Sequence, residues 1–132
     1  LGETVTMQVL IPIRTWSEPN LRGHWAKRAR RARGQREAAR ILVRAALAAS
    51  AGKPPLEGNL RLAIRLTRVA MRQMDSDNLA AGLKAVRDGV SDALQMNDGD
   101  RRLDWQYAQQ KGKRGEYAVL VTIQEESACP IP

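Results

Sequence analysis

The chain has 132 residues, enough for one domain with a single modest core and too few for two. Apolar residues make up 43% and charged residues 27%, which excludes a wholly disordered chain, and a lone cysteine, Cys129, excludes an intrachain disulfide and suits a reducing compartment. With 22 Lys and Arg against 14 Asp and Glu, the formal charge is +8, a balance that favours a polyanionic partner, nucleic acid foremost.

Along residues 4–13, Val5, Met7, Val9 and Ile11 alternate with Thr6 and Gln8. That is the period of a strand, and Pro12 suits an edge position. Residues 17–23 are rich in turn formers and lead into a long predicted helix over 24–51, with Gly34 as a candidate break. In its second part Arg33, Arg36, Arg40 and Arg44 share one face, and Ala38, Leu42, Ala45 and Ala49 the opposite one. Gly52, Lys53, Pro54 and Pro55 end the helix. A second strand follows, in which Leu60, Leu62, Ile64 and Leu66 alternate with Arg61, Ala63, Arg65 and Thr67. A second helix is predicted over 77–94, its buried stripe formed by Leu79, Leu83, Val86 and Val90. Two more strands, 105–110 and 117–124, are joined by the basic turn Lys111, Gly112, Lys113, Arg114 and Gly115. The expected architecture is an α/β fold of the α+β kind, a small mixed sheet of about four strands packed with two main helices in one domain.

Phe is absent and aromatics are 4%, so the core must be aliphatic and thin, and a homodimer interface is expected to supply further burial. No apolar run approaches membrane-spanning length and no secretory signal opens the sequence, so a soluble, cytoplasmic protein without membrane partners is expected.

The charge is segregated. Asp75, Asp77, Asp88, Asp92, Asp98, Asp100 and Asp104 are all the aspartates of the chain, whereas residues 14–44 are rich in Arg and Lys with only Glu18 and Glu37 against them. A metal site beside a phosphate track explains such a division. On the second helix Asp77, Lys84 and Asp88 fall within a narrow arc opposite the apolar stripe, Asp75 immediately precedes it, and Asn97, Asp98, Gly99 and Asp100 follow it. Carboxylates of this kind suit Mg²⁺, a hard cation bound by a few acidic oxygens together with substrate phosphates. Lys84 would offset charge on the phosphorane, with Asp88 holding it. Each piece also has a structural reading. Acids favour a helix start, Asn-Asp-Gly-Asp is ordinary turn material, and Lys84 with Asp88 is an i,i+4 pair worth about 0.2–0.5 kcal/mol. His24, beside Trp25, suits a turn or a DNA contact better than a metal ligand, and Cys129 is read as inert. A calcium loop starting at Asp98 is excluded, because its sixth position is Leu103 and its twelfth Gln109.

Taken together, Asp75-Ser76-Asp77-Asn78-Leu79, then Lys84 and Asp88, then Asn97-Asp98-Gly99-Asp100 resembles the RusA family of Holliday junction resolvases. The segment Pro19-Asn20-Leu21-Arg22-Gly23-His24 is similar to the family's loop between first strand and first helix. Lys84 stands about one helical turn further from Asn78 than in the family's usual spacing. The resemblance implies Asp75, Asp77 and Asp98 or Asp100 as ligands of Mg²⁺ or Mn²⁺, Lys84 as the catalytic cation, and Asn78 and Asp88 in support. It further implies a homodimer that nicks a four-way DNA junction symmetrically, in recombination and repair in a bacterial or phage-infected cell. The DNA-facing residues expected are Asn20, Arg22, His24, Lys27, Arg33, Arg36, Arg40, Arg44, Lys111, Lys113 and Arg114, and they suit electrostatic contact with a phosphate backbone. The alternative is a non-catalytic module for structured DNA, in which the aspartates only cap a helix and shape a turn.

Overall fold

A computed structural model describes residues 6–16, 25–49 and 61–126. The elements are strand β1 (Thr6–Ile11), helix α1 (Trp25–Ala49), strand β2 (Arg61–Ala70), helices α2 (Ser76–Gly82) and α3 (Lys84–Leu94), and strands β3 (Leu103–Lys111) and β4 (Ala118–Glu126). The expected α+β domain is present, a mixed four-stranded sheet carrying helices. Its strand order is β1-β4-β2-β3, with β2 parallel to β3 and antiparallel to β4, and β1 antiparallel to β4 at an edge. The strand that ends before Pro12 is therefore an edge strand, as expected.

The 111–115 turn joins β3 to β4, as expected, but these two strands do not pair with each other, because β2 lies between them. The reason is burial. Leu66 to Ala70 are buried in an unbroken run, and a strand covered on both faces belongs in the interior of a sheet. The predicted second helix is also broken at Leu83, whose φ of −100° and ψ of 2° are not helical. A side chain at Gly82 would begin 2.8 Å from the Trp16 carbonyl oxygen and 3.2 Å from Met74 Sδ. The glycine thus admits the segment after β1 against the helix break.

The core lies between the sheet and the helices. Val9 and Ile11 of β1, Leu62, Ile64 and Leu66 of β2, and Val119, Val121 and Ile123 of β4 meet Leu79, Leu83, Val86 and Val90. The apolar stripe read for the second helix is therefore the buried one. On α1 the buried residues are Gln35, Ala39 and Val43; of the expected stripe, Ala38 and Leu42 pack partly buried against the core, while Ala45 and Ala49 are exposed. That is about a quarter turn from the expected face at 100° per residue. Contact with α3 sets the rotation. A Cβ on Gly89 would collide with the Arg36 carbonyl oxygen and lie 2.7 Å from Ala39 Cβ, so the two backbones are as close as a glycine permits. Beside this crossing Arg36 grips Asp92 of α3 through two hydrogen bonds, Nε to Oδ2 at 2.6 Å and a terminal nitrogen to Oδ1 at 2.9 Å. Gly34, the candidate break, lies within continuous helix on the exposed side, with nothing within 4 Å of an added Cβ. No helix among the described residues is long and apolar enough to cross a membrane.

The two glycines should respond oppositely to the same change. Gly34→Ala is expected to raise stability by about 0.5–1 kcal/mol through helix propensity, and Gly89→Ala to lower it by about 1–3 kcal/mol through overpacking. Equal shifts in denaturant midpoint would contradict the crossing geometry. The hydrogen bond from Arg36 holds the Asp92 carboxyl below its ordinary range, against the opposing effect of partial burial. A depressed carboxyl stabilises above its unfolded pKa, about 3.9, and loses that contribution as pH falls through the lower folded value. Asp92→Asn should therefore narrow the difference in melting temperature between pH 6 and pH 2; an undiminished difference would show that the bond contributes nothing.

Candidate functional site

Asp75 and Asp77 lie just past the carboxyl end of β2, on the turn that starts α2. Asp75 is the N-cap residue in extended conformation, and its backbone carbonyl receives the N–H groups of Asn78 and Leu79 at 2.9 and 3.1 Å. Its side chain makes no capping bond. Asp77 is in the first helical turn, and both residues are exposed. Among the described residues, neither carboxylate has a hydrogen bond or an ion pair with another group. In a chain with a surplus of cations this is informative, because Asp88, Asp92, Asp98 and Asp100 each have a cationic partner.

Lys84 opens α3 immediately after the Leu83 break. Lys84 Nζ is 3.3 Å from Asp88 Oδ1, which realises the expected i,i+4 pair. With Ala80, Ala81, Arg87, Asp98 and Tyr107, Lys84 lines an open cleft of about 380 Å³.

The acidic turn resolves into two different environments. Asn97 Oδ1 accepts from the Gly99 N–H at 3.1 Å, and Asp100 Oδ1 accepts from the Arg102 N–H at 2.9 Å, so the turn is braced by its own side chains. Asp100 also takes the Arg102 guanidinium at 2.9 Å. That bond, helped by the backbone one, pulls its carboxyl down to about 2. Asp98 instead faces α3. Arg87 places Nε 3.4 Å from its carboxylate and donates to its backbone carbonyl at 3.2 Å, and Trp105 Nε1 donates to the same carbonyl at 2.9 Å. Of the two alternative third carboxylates, Asp98 is the one set beside Lys84.

The sequence reading missed Arg87, Trp105, Tyr107 and Gln109. Arg87 spans the cleft floor. It donates to the Tyr107 hydroxyl at 2.7 Å and lies over the Trp105 ring, with its buried Nε lacking a hydrogen bond of good geometry. Gln109 holds the segment before Asp75, accepting from the Met74 N–H and donating to the Met74 carbonyl, both at 2.8 Å. The available signals were the i,i+3 spacing of Arg87 from Lys84 and the alternation of Trp105, Tyr107 and Gln109 along one face of β3.

These anchors fix how the carboxylates are arranged. The Asp98 carbonyl is tied at Trp105 and Met74 at Gln109, and four strand residues amount to about 13 Å. Among the described residues no group of three or more His, Cys, Asp or Glu is gathered to hold a metal ion. Asp75 and Asp77 lie at the start of α2, whereas Asp98 lines the cleft with Lys84 and Arg87.

The basic residues divide similarly. Arg36 is engaged with Asp92 and Arg40 with Glu37 at 2.7 Å. Lys27, Arg33 and Arg44 are exposed without such partners among the described residues. Lys111, Lys113 and Arg114 are exposed around the β3–β4 turn. Asn20, Arg22, His24 and Cys129 lie outside the described residues.

No family model matches the chain. Among curated proteins, an uncharacterized protein of Xylella fastidiosa is 36% identical over 80 residues, covering 61% of this chain and 52% of that protein. The chain thus spans about half the length of the relative it matches. Among solved structures, 2C-methyl-D-erythritol-2,4-cyclodiphosphate synthase aligns with a TM-score of 0.36 at 16% identity, over 66% of this chain and 52% of that one. That likeness is too slight to bear on fold or activity.

Proposed function

We propose that the protein is a divalent-metal-dependent endodeoxyribonuclease acting on four-way DNA junctions, of the kind found in the RusA family. The observation that carries this reading is the adjacent pair Asp75 and Asp77, exposed and unpartnered among the described residues of a strongly basic chain. An acidic pair held clear of its own surplus of Arg and Lys is suited to an external cation. Mg²⁺ commonly takes one or two carboxylates and completes its shell with waters and substrate phosphates. Two oxygen donors without a preformed cage fit that habit.

When bound, the cation polarises a phosphodiester and activates water for attack. In this reading Asp75 and Asp77 hold it. Lys84 and Arg87, which line the cleft with Asp98, are positive groups suited to the developing charge on phosphorus oxygens. Asp88 keeps Lys84 oriented, and Asp98 is fixed by Arg87 and Trp105 at the far side of the cleft. Lys27, Arg33 and Arg44 offer charge to flanking phosphates. A homodimer with two such sites would suit the paired cuts that a two-fold symmetric junction needs.

A non-catalytic junction-binding module is the second reading, and the absence of a gathered three-carboxylate centre among the described residues favours it. Cleavage of a synthetic four-way junction, compared with linear duplex of the same sequence in Mg²⁺ and in EDTA, separates the two. The nuclease reading expects paired nicks on the junction, dependent on the cation. Tight junction binding without cleavage in either Mg²⁺ or Mn²⁺ selects the module. For the variants, Asp77→Asn should abolish cleavage while leaving junction affinity equal or higher, because it removes negative charge beside phosphate. Lys84→Met should slow cleavage at saturating DNA with little loss of affinity. Retained cleavage in Asp77→Asn would remove this pair from the mechanism.

A further inference from the structure

A second cluster at the same end of the sheet is not used by this chemistry. The Arg14 guanidinium lies between two aromatic rings, 3.9 Å from the centroid of Trp16 and 4.4 Å from that of Tyr117. Arg31 of α1 lies over the Trp16 ring at 5.6 Å. Beneath them Arg68, on the helix-facing side of β2, is 8% exposed. Its guanidinium donates to Thr15 Oγ1 at 3.0 Å and to the Arg72 carbonyl at 2.7 Å. Neither Arg14 nor Arg68 meets a carboxylate among the described residues.

The arrangement is costly for a chain that only needs to fold. A buried cation is ordinarily paired with an anion, and here burial and the Arg14 charge both weaken the hold of Arg68 on its proton. The backbone around Arg14 is nevertheless fixed, since Gln35 donates to its carbonyl at 3.0 Å. Two rings pack on the guanidinium, so less side-chain freedom remains to be lost on binding.

We propose that Arg14 and Arg68, walled by Trp16 and Tyr117, bind a backbone phosphate of a DNA strand. The position supports this. Arg68 holds the Arg72 carbonyl on the segment leading to Asp75, and the Trp16 carbonyl and the Met74 side chain both abut Gly82. A phosphate seated here lies on the strand that passes the Asp75–Asp77 pair. The inference rests on the DNA-processing reading for its ligand, though not on catalysis, because the patch binds whether or not the strand is cut.

The test is binding of a fluorescently labelled four-way junction by anisotropy in EDTA, over a series of salt concentrations, with cleavage in Mg²⁺ measured separately. Arg14 is exposed, so Arg14→Gln should keep the wild-type melting temperature. Its affinity should fall about tenfold to a hundredfold, and the slope of log affinity against log salt should flatten by about 0.9. Arg14→Lys should restore the slope without restoring full affinity, since it keeps the charge and loses the planar fork. Tyr117→Leu should weaken binding with the slope unchanged. Arg65→Gln, on the opposite face of the sheet, serves as the control and should bind as wild type. Wild-type affinity and slope in Arg14→Gln would overturn the proposal whatever the cleavage assay shows, as would a wild-type protein that binds no DNA. Weakened binding in Arg14→Gln beside a wild type that never cuts would uphold the patch and remove the nuclease.

Discussion

Parallel pairing of β2 with β3 governs the rest of the structure. Two parallel neighbours cannot be joined by a tight turn, because the chain must return the length of the strand before pairing again. Residues 71–102 make that return as a loop, two short helices and the acidic turn. The first helix begins where β2 leaves the sheet, and the turn sits where β3 enters it. The pair Asp75–Asp77 and the residue Asp98 consequently belong to opposite ends of one crossover. Arg87, Tyr107 and Trp105 close part of the gap by tying the turn to α3 and to the face of β3.

Helix packing answers to the same return path. The crossover brings α3 across α1 at Gly89, and the absence of a side chain there sets the rotation of α1. Arg36 thereby reaches Asp92, leaving Lys27, Arg33 and Arg44 as exposed charge on that helix. A stripe that looks uniform in one dimension is thus divided by a neighbour distant in sequence. Part of it braces the fold and part faces solvent.

Much of this was legible beforehand. Strict alternation marked β1 and the start of β2, and the four-three-four spacing of Leu79, Leu83, Val86 and Val90 identified the buried side of the second helical region. Asp75, Asp77 and Lys84 could be named because acids and a lysine opposite an apolar stripe need no tertiary information. The missing parts all depended on contacts between distant segments. Local pattern cannot reveal that β2 separates β3 from β4, since a basic glycine turn between two strands looks the same whether or not they pair. Nor can it reveal that Ala39 and Val43, rather than Ala45 and Ala49, meet the core, because an Ala-rich helix offers several acceptable faces. The helix break at Leu83 lies beside Gly82, where the Trp16 carbonyl approaches from 66 residues earlier in the chain. Asp98 and Asp100, two residues apart, were equivalent on paper and became distinct only through Arg87 and Arg102.

The order of the strands also bears on how the two ends of the crossover move in time. β2 is hydrogen-bonded on both sides, and its amides should be among the last in the chain to exchange with solvent. Asp75 leaves directly from that strand through a segment clamped by Arg68 and Gln109. Asp98 hangs instead between the end of α3 and β3, an outer strand with one bonded flank. The two carboxylate positions are therefore held differently, Asp75 by the hydrogen-bonded ladders of an interior strand and Asp98 by side-chain bonds from Arg87 and Trp105. Loss of an outer-strand bond would therefore disturb the Asp98 turn before it reached Asp75.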